Sequence, residues 1–343
     1  LKEWEKGLGD IPKKLSAYFT EERMHGKIAD QIEAFNRGYV EPFTQKMANV
    51  GKKYGTTLDE FDLYLKAKYA PTRNDIITKR NPDLAAKGPG SGMSNAEAKA
   101  ILDAIDQRPG LRQAFEDLAK VIYDVQDMKL KLIEKYGLES KEVIADMKAQ
   151  HGKYYVPLKG KVGVETPMSA GGTFNVRHAG LKAAIGRLSP SENSIIHTFN
   201  DLEATIRRVH NNEVTRAFVK LAEDYNAKDV EVNKVQLKQK YNSDTGVVET
   251  YNAPVWAPEE NTLGMIRMKK DPKTGKDVAE HVFVRINNNP LLVRALKNEQ
   301  IPFGMADQAI ATVGKVTRLI ASLVTKWSPE FAVTNQLCDL GDA

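Results

Sequence analysis

The chain has 343 residues, of which 41% are hydrophobic and 28% charged, with 50 basic against 45 acidic side chains and a net charge of +5. This composition excludes wholesale disorder and leaves enough chain to bury a sizeable core, in one large domain or two ordinary ones. The basic excess is too thin to argue a nucleic-acid partner by itself, because such binding needs cations clustered on one face. A single cysteine, Cys338, excludes an intrachain disulfide and a zinc site built from several thiolates. No run of about 18 apolar residues is present, so no membrane-spanning helix is expected. The first residue is Leu1 rather than Met, and the end, NQLCDLGDA, reads as the middle of an element. Both are expected of a fragment of a longer chain.

Residues 1–152 read as helical. Thr20 is placed to cap a helix carrying Ile28, Ile32, Phe35 and Tyr39 at steps of four, three and four. Pro42 should kink or end it, and Phe43, Met47 and Val50 continue the stripe. Thr57-Leu58-Asp59-Glu60 is a capping-box sequence, with Leu58, Phe61 and Leu65 behind it. Pro71 predicts a helix end at KYAP, followed by a loop over 71–93 rich in proline and glycine. Ser94-Asn95-Ala96-Glu97 is a second capping-box sequence, opening a helix with Ile101, Leu102 and Ile105. Leu111, Phe115, Leu118, Ile122, Val125 and Leu132 mark a longer helix stopped by Gly137, and a short one spans Lys141 to Gln150.

Residues 153–229 combine an extended stretch with a long helix capped by Ser191, carrying Ile195, Phe199, Leu202, Ile206, Val209 and Leu221 on one face. Residues 230–287 change to short β-branched runs (VEVNKV, GVVETY, GMIRMKK, HVFVRI), with Asp271 to Gly275 as a hairpin turn. Residues 288–343 return to helix, starting from an Asn289 cap with Pro290 at the first position. The expected fold is therefore mainly α, an amphipathic helical bundle with a small antiparallel sheet near 230–287. A final seam of Ala309, Val313, Val316, Ile320 and Leu323 predicts a long helix from Gly304 to Trp327 as the main internal packing element. Phe331 and Leu337 are expected to stay partly exposed and to drive self-association through the C-terminal helices.

Chemistry is harder to find. The six histidines, His25, His151, His178, His197, His210 and His281, include no pair at a metal-ligating helical spacing. His197 and His210 share a helix but sit about 20 Å apart along it, too far for one metal. There is no GxSxG elbow and no GxxxxGK[ST] loop. GPGSGMS at Gly88 to Ser94 resembles a phosphate cradle but follows no strand and lacks the lysine, so it reads as a linker with a cap. Arg73 and Asn74, just past KYAP, are candidate binding residues, and a structural clasp is the favoured reading of them. A second basic group runs from Arg177, Lys182 and Arg187 to Arg207, Arg208, Arg216 and Lys220, seven cations against four acidic residues between 177 and 220. Of these, Arg207, Arg208, Arg216 and Lys220 are candidate nucleic-acid contacts, although a solvated helix face accounts for them more simply. No cofactor, metal or catalytic set is expected.

Five stretches, in order, carry a resemblance to a known family: LYLKAKYAPTRN at Leu63 to Asn74, GSGMSNAEA at Gly90 to Ala98, HGKYYVPLKG at His151 to Gly160, VFVRINNNPLLVRALKN at Val282 to Asn298, and WSPEFAVTNQLCDL at Trp327 to Leu340. Together they resemble a domain associated with large polyvalent proteins of bacteriophages, very long multidomain chains that include restriction-defence proteins. At the last stretch family members look like NPEF…TN..RD. Here Ser328 replaces the asparagine and keeps the cap, while Cys338 replaces the arginine and puts any role of that arginine in doubt.

The resemblance implies a non-enzymatic virion module, ejected with the DNA into the bacterial host, with a structural or DNA-associated role in genome delivery or protection. Its partners would be other domains of a longer polypeptide, other virion proteins or DNA. The alternatives are a hydrolase-like enzyme that draws Arg73, Asn74 and His151 together with a carboxylate, and a nucleic-acid-binding module.

Overall fold

The computed structural model describes residues 1–159, 176, 179–181, 186–242, 247–254 and 261–297. The expected Gly304–Trp327 helix, and Phe331 and Leu337, lie outside the described residues. No helix among those described is long and apolar enough to cross a membrane.

The described chain is mostly helical with a small antiparallel sheet. It opens with α1 (Lys2–Leu8) and α2 (Ala17–Phe35), then a π-turn over Asn36–Val40 that leads without a break into α3 (Glu41–Tyr54). The cap of α2 is Ser16, whose hydroxyl accepts from the Phe19 amide 3.1 Å away. Thr20 sits one turn inside and donates back to the Ser16 carbonyl, so it is not the cap. Pro42 ends nothing: the backbone stays helical through it, and the π-turn over Asn36–Val40 stands immediately before it, where the helix is widened.

The largest departure from the sequence reading is α4, which runs Leu58–Arg80 straight through Pro71. After it, α5 (Pro82–Lys87) occupies part of the expected loop. Pro71 lies on the exposed face, while Tyr69, Ala70, Ile76 and Ile77 on either side are buried. Burial of that face, from both turns, outweighs the loss of one hydrogen bond. Ser94 and Glu97 form the full reciprocal capping box that opens α6 (Asn95–Asp106). At Thr57 only half of the box forms, because the Glu60 side chain turns to Thr56 and Arg108 instead. Next come α7 (Leu111–Lys135), stopped as expected at Gly137 with φ +59°, and α8 (Lys141–His151).

The long helix α9 is Ser194–Asp224, capped by Asn193 rather than Ser191. Eighteen of its 31 residues are buried, which makes it the central helix of the described fold. α2 and α7 pack along it, and α4 and the strand Thr262–Lys270 also touch it. The aromatic centre is built on Phe199, whose ring lies 5.4 Å from Phe43 and 5.8 Å from Phe35, with Phe115 5.1 Å from Phe61 and 5.3 Å from Tyr64 beyond them. Offset and edge contacts of this kind add to the burial of large apolar area. At the other end of α9, the Trp4 ring lies 4.8 Å from Phe218, tilted to it, and its indole N–H donates to Asp229, which ties α1 down.

Strands β1 (Val230–Asn242), β2 (Val247–Pro254), β3 (Thr262–Lys270) and β4 (Asp277–Ile286) form one antiparallel sheet of order β2-β1-β4-β3. The Asp271–Gly275 turn joins β3 to β4 as expected. α10 (Pro290–Lys297) follows, with Asn289 accepting from the Leu292 amide. Leu263, Met265, Val282, Val284, Leu292 and Leu296 join the same hydrophobic core as the helices.

Candidate functional site

Continuing α4 past Pro71 puts Tyr69 and Arg73 one turn apart on a single face. Asn74, the next residue, faces another way. Its Oδ1 accepts from the Ser91 amide at 2.8 Å, and its Nδ2 donates to the Met93 carbonyl at 3.0 Å and to Asn95 Oδ1 at 2.8 Å. One side chain therefore holds the whole GPGSGMS segment. Gly90 lies so close to Ile77 that any Cβ would collide with its side chain, and Gly92 (φ +83°) would meet the Ser189 carbonyl. The Arg187 amide donates to the Gly90 carbonyl at 2.9 Å, which fastens residues 186–190 to the same place. The segment read as a linker is thus a clasp, and Asn74 is its fastener.

Around Tyr69 the polar groups gather. Its hydroxyl lies 2.6 Å from His151 Nδ1 in a buried contact. The ring of Tyr155 is 5.4 Å from Tyr69 and 5.0 Å from His151. Burial pushes the Tyr69 phenol well above its usual range, with the Arg73 charge opposing, and pushes Tyr155 up to about 12. Tyr69 therefore keeps its proton; the tautomer in which that proton is donated to Nδ1 carries the His151 ring proton on Nε2. Burial, then the charges of Arg73 and Arg80, hold His151 below the usual histidine range, so its ring is neutral at pH 7. Arg73 Nε is buried without a hydrogen-bond partner, and no carboxylate pairs with Arg73 among the described residues.

Next to this cluster, Lys68 bonds both oxygens of Glu116 at 2.6 and 2.8 Å and lies 4.0 Å from the centre of the Tyr154 ring. A second polar group lies on α9. Asp201 is held by Lys129 at 3.1 Å and by Lys159. Burial raises the Asp201 carboxyl, but the two lysines outweigh it and leave it below the carboxylate range. Burial drives Lys129 below the usual lysine range, with Asp201 opposing. Lys129 stands four residues after Val125 on the apolar stripe of α7; a lysine at that spacing is the sequence signal for this buried pair.

The four cations singled out on α9 do not make one open basic face. Arg207 pairs with Glu203 at 2.9 Å, and Lys220 with Asp224 at 2.9 Å. Arg216 donates to the carbonyls of Ile266, Tyr136 and Gly137, joining the end of α7 to β3. Arg208 is half-buried, its guanidinium lying where a Cβ at Gly180 (φ +81°) would stand. His210 is fully buried beside Glu213 at 2.6 Å and edge-on to Tyr136. Among the described residues no group of three His, Cys, Asp or Glu is placed to hold a metal.

Sequence reasoning named Arg73 and His151 and grouped them only in the hydrolase alternative; the fold brings the two into one cluster, and the sequence reading missed Tyr69 and Tyr155. Tyr69 was hidden by reading Pro71 as a stop, which removes the one-turn relation to Arg73. Comparison with protein-family models, with curated proteins and with solved structures gives no match.

Proposed function

We propose that this chain is a non-enzymatic module of a large polyvalent phage protein, packaged in the virion and delivered to the bacterial host with the DNA. Its role is structural or DNA-associated, during genome delivery or protection. The observation that carries this reading is a convergence. Three of the five stretches that resemble the family, far apart in the chain, meet at one place through Tyr69–His151, Asn74–Ser91 and Lys68–Tyr154. A fourth supplies the buried Val282, Val284 and Ile286 of β4 and Leu292 and Leu296 of α10. The polar side chains at the meeting point are used largely on backbone groups and on one another, which supports a part that holds a larger assembly in shape.

The hydrolase alternative needed Arg73, Asn74 and His151 around a carboxylate. Asn74 is committed to the loop at Ser91–Asn95, and no carboxylate bonds to His151 or Arg73 among the described residues. Proteomics of purified particles, before and after ejection is triggered, tests the proposal. The chain should be present in full particles and lost from emptied ones. A chain absent from particles, and found only in infected cytoplasm, would overturn it.

A further inference from the structure

We propose that Arg73 and Arg187, with His151 and Tyr155, form a binding site for an oxyanion of the phosphate class. The argument starts from charge. Arg73 lies in a half-buried position; its guanidinium bonds the neutral Tyr69 hydroxyl, its Nε is buried and unpartnered, and no acidic side chain lies on it among the described residues. Sequestering an unpaired guanidinium is costly, and a native fold tolerates it where something else supplies the negative charge. A second arginine, Arg187, is anchored beside it and feels its charge. The backbone of Arg187 is bonded to Gly90, and the Gly90 segment is clasped by Asn74, the residue next to Arg73. Arg187 spends Nε and Nη2 on the Ser189 and Pro190 carbonyls and the Ser189 hydroxyl. Those bonds orient the head without neutralising it. The two arginines repel: burial first, then Arg73, holds Arg187 below its usual range. Glu192 offsets part of this from a distance and lies 3.3 Å from His197.

The remaining groups suit an anion that accepts hydrogen bonds. With the Tyr69 hydroxyl, 2.6 Å away, donating to Nδ1, His151 presents an N–H at Nε2. Tyr155 keeps its proton. Neither His151 Nε2 nor the Tyr155 hydroxyl has a hydrogen-bond partner among the described residues. Two planar forks with neutral N–H and O–H donors match a tetrahedral oxyanion, which accepts several bonds at once, better than a single carboxylate. The anion would also remove the repulsion between the two arginines. This inference does not depend on the reading of the chain as a phage module.

The test is thermal unfolding of the protein with inorganic phosphate or pyrophosphate, against chloride at matched ionic strength. At roughly ten times Kd the midpoint should rise by about 2 °C or more. Arg73→Met should abolish the rise and leave the ligand-free midpoint unchanged or higher, because an unpaired buried cation is gone. Lys99→Gln, in an exposed pair with Asp103, should keep the rise. A fluorescent single-stranded DNA oligonucleotide, followed by anisotropy, separates the sources. If it binds and binding is lost in Arg73→Met, the anion is a nucleic-acid backbone; if pyrophosphate alone binds, it is a small phosphate compound. No rise with any phosphate, or a rise that persists in Arg73→Met with a lowered ligand-free midpoint, overturns the proposal. Should Arg73→Met fail to fold, Arg187→Gln carries the test: an undiminished phosphate shift in it refutes the site.

Discussion

Asn212 shows what one side chain contributes here. It is fully buried on α9, and its amide reaches the edge strand β3, giving a hydrogen to the Ile266 carbonyl at 2.8 Å and accepting from the Ile266 amide at 2.9 Å. Arg216 adds a second donor to the same carbonyl, and the Val176 amide bonds the Gly264 carbonyl at 2.7 Å. The outer edge of β3 is thereby occupied instead of standing open as a template for another chain. Asn212→Ala leaves the Ile266 amide unsatisfied in a buried place. It should cost about 2–4 kcal/mol, read by urea unfolding with an unchanged m-value. Asn212→Asp keeps the acceptor but sets a carboxylate against the Ile266 carbonyl, and should be at least as damaging. Losses within about 0.5 kcal/mol for both would mean that the edge is held without Asn212.

At the scale of elements, α4 carries a lesson about local rules. Pro71 is a sound stop signal in isolation, since its ring removes a donor and crowds the preceding turn. It fails here because the turns on both sides bury large side chains, Tyr64, Leu65 and Tyr69 before it and Ile76 and Ile77 after it. The remaining strain is testable. Pro71→Ala restores one N–H on an exposed face and should raise stability, by about 1–2 kcal/mol, less than the roughly 3 kcal/mol of an uncompensated helix proline. A midpoint at or below that of the parent protein would mean that the surrounding packing is shaped to the proline. The N-terminus of α9 follows the same principle. Asp62 on α4, buried and paired with Lys66, accepts from the Ser194 amide and hydroxyl, a long-range cap that stands beside the local Asn193 cap. Local capping at 193 lies within reach of pattern reading, but a carboxylate 132 residues earlier does not.

For the molecule as a whole, buried titratable groups set the response to acid. His151 and His197 are both held below their unfolded value of 6.5, in each case chiefly by burial. The unfolded chain then binds more protons than the folded one below that pH, so stability is fullest above pH 6.5 and declines as pH falls through it. Against burial in each case, Asp201 is held below 3.8 by Lys129 and Lys159, and Glu213 below 4.5 by the His210 hydrogen bond and then Lys27. Their contributions persist above those values and are lost at lower pH, a second acid step. Denaturant midpoints measured from pH 8 to pH 5 should therefore fall before the carboxylates titrate. His151→Asn, which retains an acceptor for the Tyr69 hydroxyl, should flatten that first decline. An unchanged slope in the variant would place the decline elsewhere.

The division between sequence and structure follows from the range of the forces involved. Periodicity placed most of the helices and strands, because the stripe that a helix buries is written in steps of three and four, and that of a strand in steps of two. The mainly α architecture, the sheet near 230–287, the Gly137 stop, the Asn289 cap and the Asp271–Gly275 turn all rest on neighbours a few residues apart, and were legible. What the tertiary structure alone decided depends on partners distant in the chain: the passage of α4 through Pro71, the clasp of Asn74 on 91–95, the pairing of Lys129 with Asp201 and the commitment of Arg216 to three carbonyls. A charged residue reads the same in sequence whether it meets water, a carboxylate or a carbonyl. Burial and hydrogen-bond geometry, which only the assembled fold supplies, separate those cases, and that is why the basic residues of α9 read as a possible face while the cluster at Arg73 came together unannounced.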